Sequence, residues 1–77
     1  MPSEEDIDAQ MALLGAHRRT LDVLLRQRAT FGAAFAPPAV VTGIADARSA
    51  IARAKRELRE WGVAVEDMPD DDEATEV

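Results

Sequence analysis

Apolar residues recur along the first 31 positions at intervals of three, four and seven, the spacing of one face of an α-helix. Ser3 is a good N-cap, and the three acidic residues after it place negative charge at the positive end of the helix dipole. Phe31 is followed by Gly32, and glycine is favoured just after the last helical turn. The pattern predicts a first helix over about residues 4 to 31.

The same period returns after a short gap that contains two prolines. Pro38 can open a second helix, because its missing N–H would have had no intrahelical partner there. Gly62 after Trp61 again supplies an end, which predicts a helix over about residues 38 to 61. Two helices of similar length joined by about six residues must lie antiparallel. The predicted fold class is all-α, an antiparallel two-helix hairpin.

The apolar stripes assign side chains to two surfaces. The predicted helix–helix seam consists of Ile7, Met11, Leu14, Leu21, Leu25, Val41, Ile44, Ile51 and Leu58. A hairpin has only one seam, so apolar side chains beside it stay partly exposed unless another chain covers them. These side chains and two arginines form the predicted partner-binding set: Leu13, Val23, Leu24, Val40, Arg48 and Arg56. We expect the hairpin to complete a four-helix bundle by self-association or with a partner, because a core this small is marginal alone.

The formal net charge of −6 is unevenly distributed along the 77 residues. Residues 66 to 77 carry seven acidic residues and no basic one, with too little apolar content to order themselves. The sequence therefore predicts a hairpin domain over residues 1–65 and a disordered acidic tail over residues 66–77. The tail has three possible roles: solubilising the chain, mimicking an anionic ligand in autoinhibition, or docking a basic partner.

The composition offers poor material for chemistry. There is no cysteine or tyrosine, one histidine, and serine only at positions 3 and 49. His17 with Arg18 and Arg19 could form a phosphate-binding or acid–base cluster, but a lone histidine on a helix is more often solvated or part of a seam. The glycines are isolated and form no phosphate-binding loop. We expect no enzyme activity, catalytic residue, cofactor, metal or small-molecule substrate.

Membrane and nucleic acid are not the expected partners. No apolar run approaches the roughly 20 residues that a bilayer requires, and the acidic start is the opposite of a signal peptide's basic region. A soluble cytoplasmic protein is the expectation. The nine basic residues could follow a phosphate backbone, but the sequence pI of about 4.6 and the lack of interleaved aromatic residues favour a solvated, salt-bridged face.

A more specific pattern covers the turn and the second helix. Its elements are Phe31-Gly32, Pro37-Pro38, Val40-Val41, Ile44, Asp46-Ala47-Arg48 and Ile51. Over about residues 20 to 61 the chain resembles the small helical-hairpin modules called effector-associated or death-like adaptor domains. Those modules belong to bacterial anti-phage conflict proteins with STAND NTPases, CHAT or caspase-like proteases, TIR domains or trypsin-like proteases. The resemblance implies an adaptor that brings an effector to its sensor. This sequence departs from the pattern in its acidic tail and in Gly43, where a better helix former is usual.

Two functional hypotheses follow. The first is a non-catalytic protein-interaction adaptor that recruits or oligomerises an effector in a bacterial defence or signalling system. The alternative is a small regulatory inhibitor, antitoxin-like or a nucleic-acid mimic, whose acidic tail occupies a partner's cationic site. Removing residues 66–77 separates them, because only the inhibitor needs the tail for binding.

Overall fold

The computed structural model describes residues 1–72 and contains two α-helices joined by a short 3₁₀ turn. Helix α1 spans Glu4–Phe31, the 3₁₀ turn spans Ala33–Phe35, and helix α2 spans Pro38–Glu60. The helices pack against each other as an antiparallel hairpin, and residues 1–72 contain no strand. The predicted all-α hairpin is confirmed, with α2 ending one residue earlier than expected.

Local chemistry sets the ends of α1. The Ser3 hydroxyl accepts a hydrogen bond from the Asp6 N–H at 3.1 Å, and the Asp6 carboxylate accepts one from the Ser3 N–H at 3.0 Å. This reciprocal capping box satisfies N–H groups that have no partner within the helix. At the other end Gly32 adopts a φ of 82°, a conformation that residues with a side chain rarely adopt. The helix therefore ends where the sequence predicts.

The chain reverses direction again after α2. Gly62 has a φ of 79°, and the Val63 N–H donates to the Leu58 carbonyl at 3.0 Å. A glycine at this position lets the backbone turn back along the helices instead of continuing away from them. Val63 and Val65 pack against the hairpin core as a result.

The core lies along the seam between the helices. Its buried apolar side chains are Leu14 and Leu21 from α1 and Val40, Ile44, Ala47, Ile51, Ala54 and Leu58 from α2. The α2 residues follow intervals of four and three, so they form one continuous stripe, and Ile51 at its centre is 0% exposed. Ile7, Leu24, Leu25 and Trp61 are partly buried against this stripe.

Two predicted seam residues lie outside the core. Met11 is 44% exposed and Val41 is 52% exposed, whereas the other predicted seam residues are buried or packed against the core. The buried stripe of α2 starts at Val40, and the next residue is turned by about 100° around the helix axis, so Val41 faces solvent. In α1 the stripe runs through Leu14 and Leu21, and Met11 lies at its edge.

Two predicted partner-binding residues contact the hairpin core to different degrees. Val40 is buried and Leu24 is partly buried against the core. A Cβ atom placed on Gly43 would lie 3.1 Å from Leu24 Cδ1, which is closer than ordinary carbon contacts. The missing side chain at Gly43 therefore lets Leu24 pack against α2. The prediction that Val40 stays partly exposed was wrong, whereas Leu24 is partly exposed, as predicted.

Candidate functional site

The acidic C-terminal segment lies along the hairpin and contacts it at several residues between Val63 and Asp71. We call residues 62–72 the strap. Asp71 lies within it and is 2% exposed, which makes it one of the most buried side chains of residues 1–72. Residues 66–72 of the predicted acidic tail are thus exposed except at Asp71, where the chain contacts the hairpin most closely. Residues 73–77 of the predicted tail lie outside the described residues.

Asp71 is held by both helices and by the strap itself. Arg18 of α1 binds it in a bidentate manner, with Nε 2.9 Å from Oδ1 and Nη2 2.6 Å from Oδ2. Lys55 of α2 places Nζ 3.0 Å from Oδ2, and the Met68 N–H donates to the same oxygen at 3.0 Å. Paired donors of this kind make a charge-assisted contact with defined geometry. Asp71 thus connects α1, α2 and the strap at one point.

The electrostatic environment keeps this cluster ionised. Burial by itself raises the pKa of Asp71, but hydrogen bonds from Arg18, the Met68 N–H and Lys55 outweigh it and hold that pKa well below its usual range. Burial likewise lowers the pKa of Lys55, whereas hydrogen bonds to Asp67 and Asp71 raise it above its usual value. Each charge is stable in this buried position because its partners are present.

Basic side chains also contact the strap at residues that precede Asp71. We call the four donors from the two helices, Arg18, Arg48, Lys55 and Arg59, the cradle. The three arginines of the cradle donate to main-chain carbonyls of the strap: Arg59 to Val65 at 3.1 Å, Arg18 to Glu66 at 2.8 Å and Arg48 to Asp70 at 3.1 Å. Lys55 and Arg59 also bind the Asp67 carboxylate. The cradle therefore binds the backbone of the strap as well as two of its acidic side chains.

The strap leaves the other side of the seam uncovered. We call this groove between the helices the open face. It is lined by Gln10, Leu13, His17, Thr20 and Leu24 of α1 and by Gly43, Asp46, Ala47, Ala50, Arg53, Ala54 and Glu57 of α2. Leu13 is 47% exposed here. The Gln10 side-chain oxygen is buried and accepts no hydrogen bond from any residue in the described part of the chain.

The structure divides the predicted partner-binding residues among several places. Leu13 and the partly buried Leu24 line the open face, whereas Val23 is exposed on α1 and does not line that groove. Arg48 contacts the strap, and Arg56 is exposed beside it, next to Asp67 and Asp72. These residues therefore do not form one surface. Their role in partner binding stays a prediction.

Sequence reasoning missed the Asp71 cluster, although the sequence carries a signal for it. Arg18 lies four residues after Leu14 and three before Leu21, and Lys55 stands in the same relation to Ile51 and Leu58. Both cations thus occupy positions of the apolar stripe, where a charge requires a buried partner. The acidic strap is the only remaining described segment that could supply one.

No family model, curated protein or solved structure matches the chain. The resemblance to effector-associated domains therefore stays a prediction. Neither helix of residues 1–72 is long and apolar enough to cross a membrane. In the same residues, no cluster of three or more His, Cys, Asp or Glu side chains is placed to hold a metal ion.

Proposed function

We propose that this chain is a non-catalytic protein-interaction adaptor whose open face binds a helix of another protein chain. The observation that supports the proposal is a groove in which apolar and polar side chains alternate, which no other part of residues 1–72 covers, on a hairpin whose other side is contacted by the strap. Apolar surface left exposed beside polar side chains is typical of binding sites. In the broader hypothesis, suggested by the family resemblance, the bound chain is an effector or sensor of a bacterial defence or signalling system, or a second copy of this chain.

The dimensions and side chains of the open face suit a helical partner. Gln10 and Leu24 are fourteen residues apart on α1, which corresponds to about 21 Å or four helical turns. The opposite wall carries Gly43, Ala47 and Ala50, small residues that allow the backbone of another helix to approach closely. An amphipathic helix with apolar residues at intervals of three and four would cover Leu13 and complete a four-helix or three-helix packing.

The inhibitor hypothesis has weaker support. It requires acidic side chains that are free to enter a partner's cationic site. Asp67 and Asp71 are instead bound to the basic residues of their own chain. Glu66, Asp70 and Asp72 are exposed, but the main-chain carbonyls of Glu66 and Asp70 are also bound by the cradle. The strap would have to leave the hairpin before it could act on another protein.

Sedimentation at tens of micromolar, together with co-purification of the products of adjacent genes, tests the adaptor proposal. We expect either a dimer or a complex with such a product, and we expect Leu13→Glu to abolish it without changing the helical spectrum. Ala12→Glu is the matched control, because Ala12 is exposed on the same helix but does not line the open face. A chain that stays monomeric and binds no neighbouring product would contradict the proposal, as would equal effects of the two variants.

A further inference from the structure

We propose that the cradle is a binding site for acidic peptide segments that carry two carboxylates four residues apart, and that the strap occupies this site in cis. The site is separate from the open face, because the two lie on opposite sides of the helix–helix seam. In this proposal the chain's own Asp67 and Asp71 are a resident ligand, which a similar segment of another protein can replace.

The direction of the contacts is that of a receptor and its ligand. Every cradle donor stands on α1 or α2, and every acceptor stands on the strap: two carboxylates and three main-chain carbonyls. Main-chain contacts give affinity for an extended peptide independently of its side chains, and the carboxylate contacts select acidic residues. A groove with both kinds of donor is equipped to recognise a peptide rather than a single ion.

Val63 and Val65 pack against the hairpin core, whereas the rest of the strap, residues 66–72, depends on the cradle for its conformation. Beyond the helix-terminal bonds of Gly62 and Val63, its internal hydrogen bonds within residues 62–72 are confined to the turn between Met68 and Asp71. The cradle donors, by contrast, project from helices that hold their own backbone. The outer pair between Arg59 and Asp67 is largely exposed, so water and salt weaken it. These properties allow residues 66–72 to leave the cradle while the hairpin, with Val63 and Val65 packed on it, keeps its fold.

Attachment gives the resident ligand an advantage over any competitor. The strap follows α2 directly, so its effective concentration at the cradle is on the order of millimolar, as for other short connections. A peptide of another molecule must therefore be present above this effective concentration, or the contacts between the strap and the cradle must be weakened. Two double variants with the same change in charge test the effect of weakening these contacts. Asp67→Asn with Asp71→Asn removes both bound carboxylates, and Asp70→Asn with Asp72→Asn makes the same charge change at exposed positions.

The test is fluorescence anisotropy with a labelled peptide of residues 62–72 and the full-length chain. We expect the Asp67→Asn/Asp71→Asn chain to bind the peptide at least tenfold more tightly than wild type or the Asp70→Asn/Asp72→Asn chain. Changing Asp67 and Asp71 of the peptide to asparagine should abolish binding. Adding Lys55→Met to the Asp67→Asn/Asp71→Asn chain should abolish it as well. Equal binding by the two double variants would overturn the proposal, and so would equal binding of a single-stranded oligonucleotide of the same charge.

A second measurement covers the case in which the double variant loses its helical spectrum. Unlabelled peptide is then titrated to several millimolar into the isotope-labelled wild-type chain, and the Met68 and Asp71 amide resonances are followed by NMR. Displacement of the strap should move both resonances toward the positions of a free peptide, while the helical resonances stay in place. Resonances that do not move at any peptide concentration would overturn the proposal.

Discussion

The apolar seam and the strap cluster solve the same structural problem with opposite chemistry. Leu14, Leu21 and Ile51 occupy stripe positions and pack against the facing helix, where close fit matters but direction does not. Arg18 and Lys55 also occupy stripe positions, but each directs its charge toward Asp71 of a third segment. Amphipathic periodicity therefore identifies the positions that face inward, and the residue type indicates what covers them.

Substitutions in the two regions also destabilise the fold in different ways. A truncated seam residue leaves a cavity, whose cost increases with the volume lost. A neutralised partner in the strap cluster leaves a buried charge without compensation, and that loss affects all three segments that meet at Asp71. The seam is thus the main determinant of the hairpin, whereas the cluster determines whether the strap is held.

The largest loss in the free energy of unfolding is expected for a substitution at the centre of the seam. Ile51→Asp places a charge where the side chain is fully enclosed, so we expect a loss of about 4 kcal/mol or more, comparable with the whole stability of so small a domain. Val41→Asp is the control, because the same charge at this exposed residue of the same helix should cost under about 1 kcal/mol. Thermal unfolding followed by circular dichroism measures both. Equal losses would show that the seam is placed on the wrong face of α2.

The next effect is at the centre of the strap cluster. Asp71→Asn keeps the size of the side chain but removes its charge, leaving Lys55 with Asp67 alone and Arg18 without its bidentate carboxylate. We expect a loss of about 3 kcal/mol. Asp72→Asn, at the exposed neighbouring position, should change stability by less than about 0.5 kcal/mol. Urea unfolding of the three proteins measures the difference. An Asp71→Asn chain as stable as wild type would mean that the strap adds nothing to the fold.

The pH dependence sharpens this contrast, because the seam contains no titrating group. The pKa of Asp71 is lower in the folded chain than in the unfolded one, so its stabilisation is complete above the ordinary value of about 3.9 and is lost as pH falls toward the folded value. The pKa values of Arg18 and Lys55 are raised in the folded chain, so the stabilisation that these two cations contribute is lost only in strong base. They therefore do not affect the pH dependence in the acid range.

Wild type and Asp71→Asn should therefore differ by a constant amount between pH 5 and 8. At pH 3 the difference should be about 1 kcal/mol smaller, because the unfolded wild-type chain then binds a proton that the folded chain does not. Urea unfolding at pH 7, 5 and 3 checks this expectation. A difference that does not change with pH would show that Asp71 acts through its shape and not through its charge.

The smallest effect on stability is expected on the open face. Leu13→Glu should change the free energy of unfolding by about 0.5 kcal/mol or less, since the side chain is half exposed in the hairpin. Leu24→Glu should cost more than 1 kcal/mol, because Leu24 packs against the core beside Gly43. Leu13 is therefore the better probe of association. If Leu13→Glu unfolds the chain, the open face is part of the core and not a binding surface.

Particular residues show how far the sequence alone could reach. The helix ends were predictable because Ser3, Gly32, Pro38 and Gly62 act on their immediate neighbours. Most of the seam followed from periodicity, but Val40 and Val41 are adjacent in sequence, and only contact with α1 decides which of them is buried. The burial of Asp71 was the feature least predictable from the sequence. Its burial depends on two cations that lie 53 and 16 residues away, and the composition of its own segment indicates disorder.

The claim that Asp71 holds the strap on the hairpin is tested most directly by measuring whether the strap is ordered in solution. Heteronuclear NOE measurements and amide hydrogen exchange on the full-length chain at pH 7 compare the strap with the helices, residue by residue. We predict NOE values for Met68 and Asp71 close to those of α1 and α2, with slowed exchange of the Asp71 N–H, which donates to the Met68 carbonyl. Both signals should fall to free-peptide values in Asp71→Asn. Free-peptide values across residues 66–72 in the wild-type chain would contradict the account.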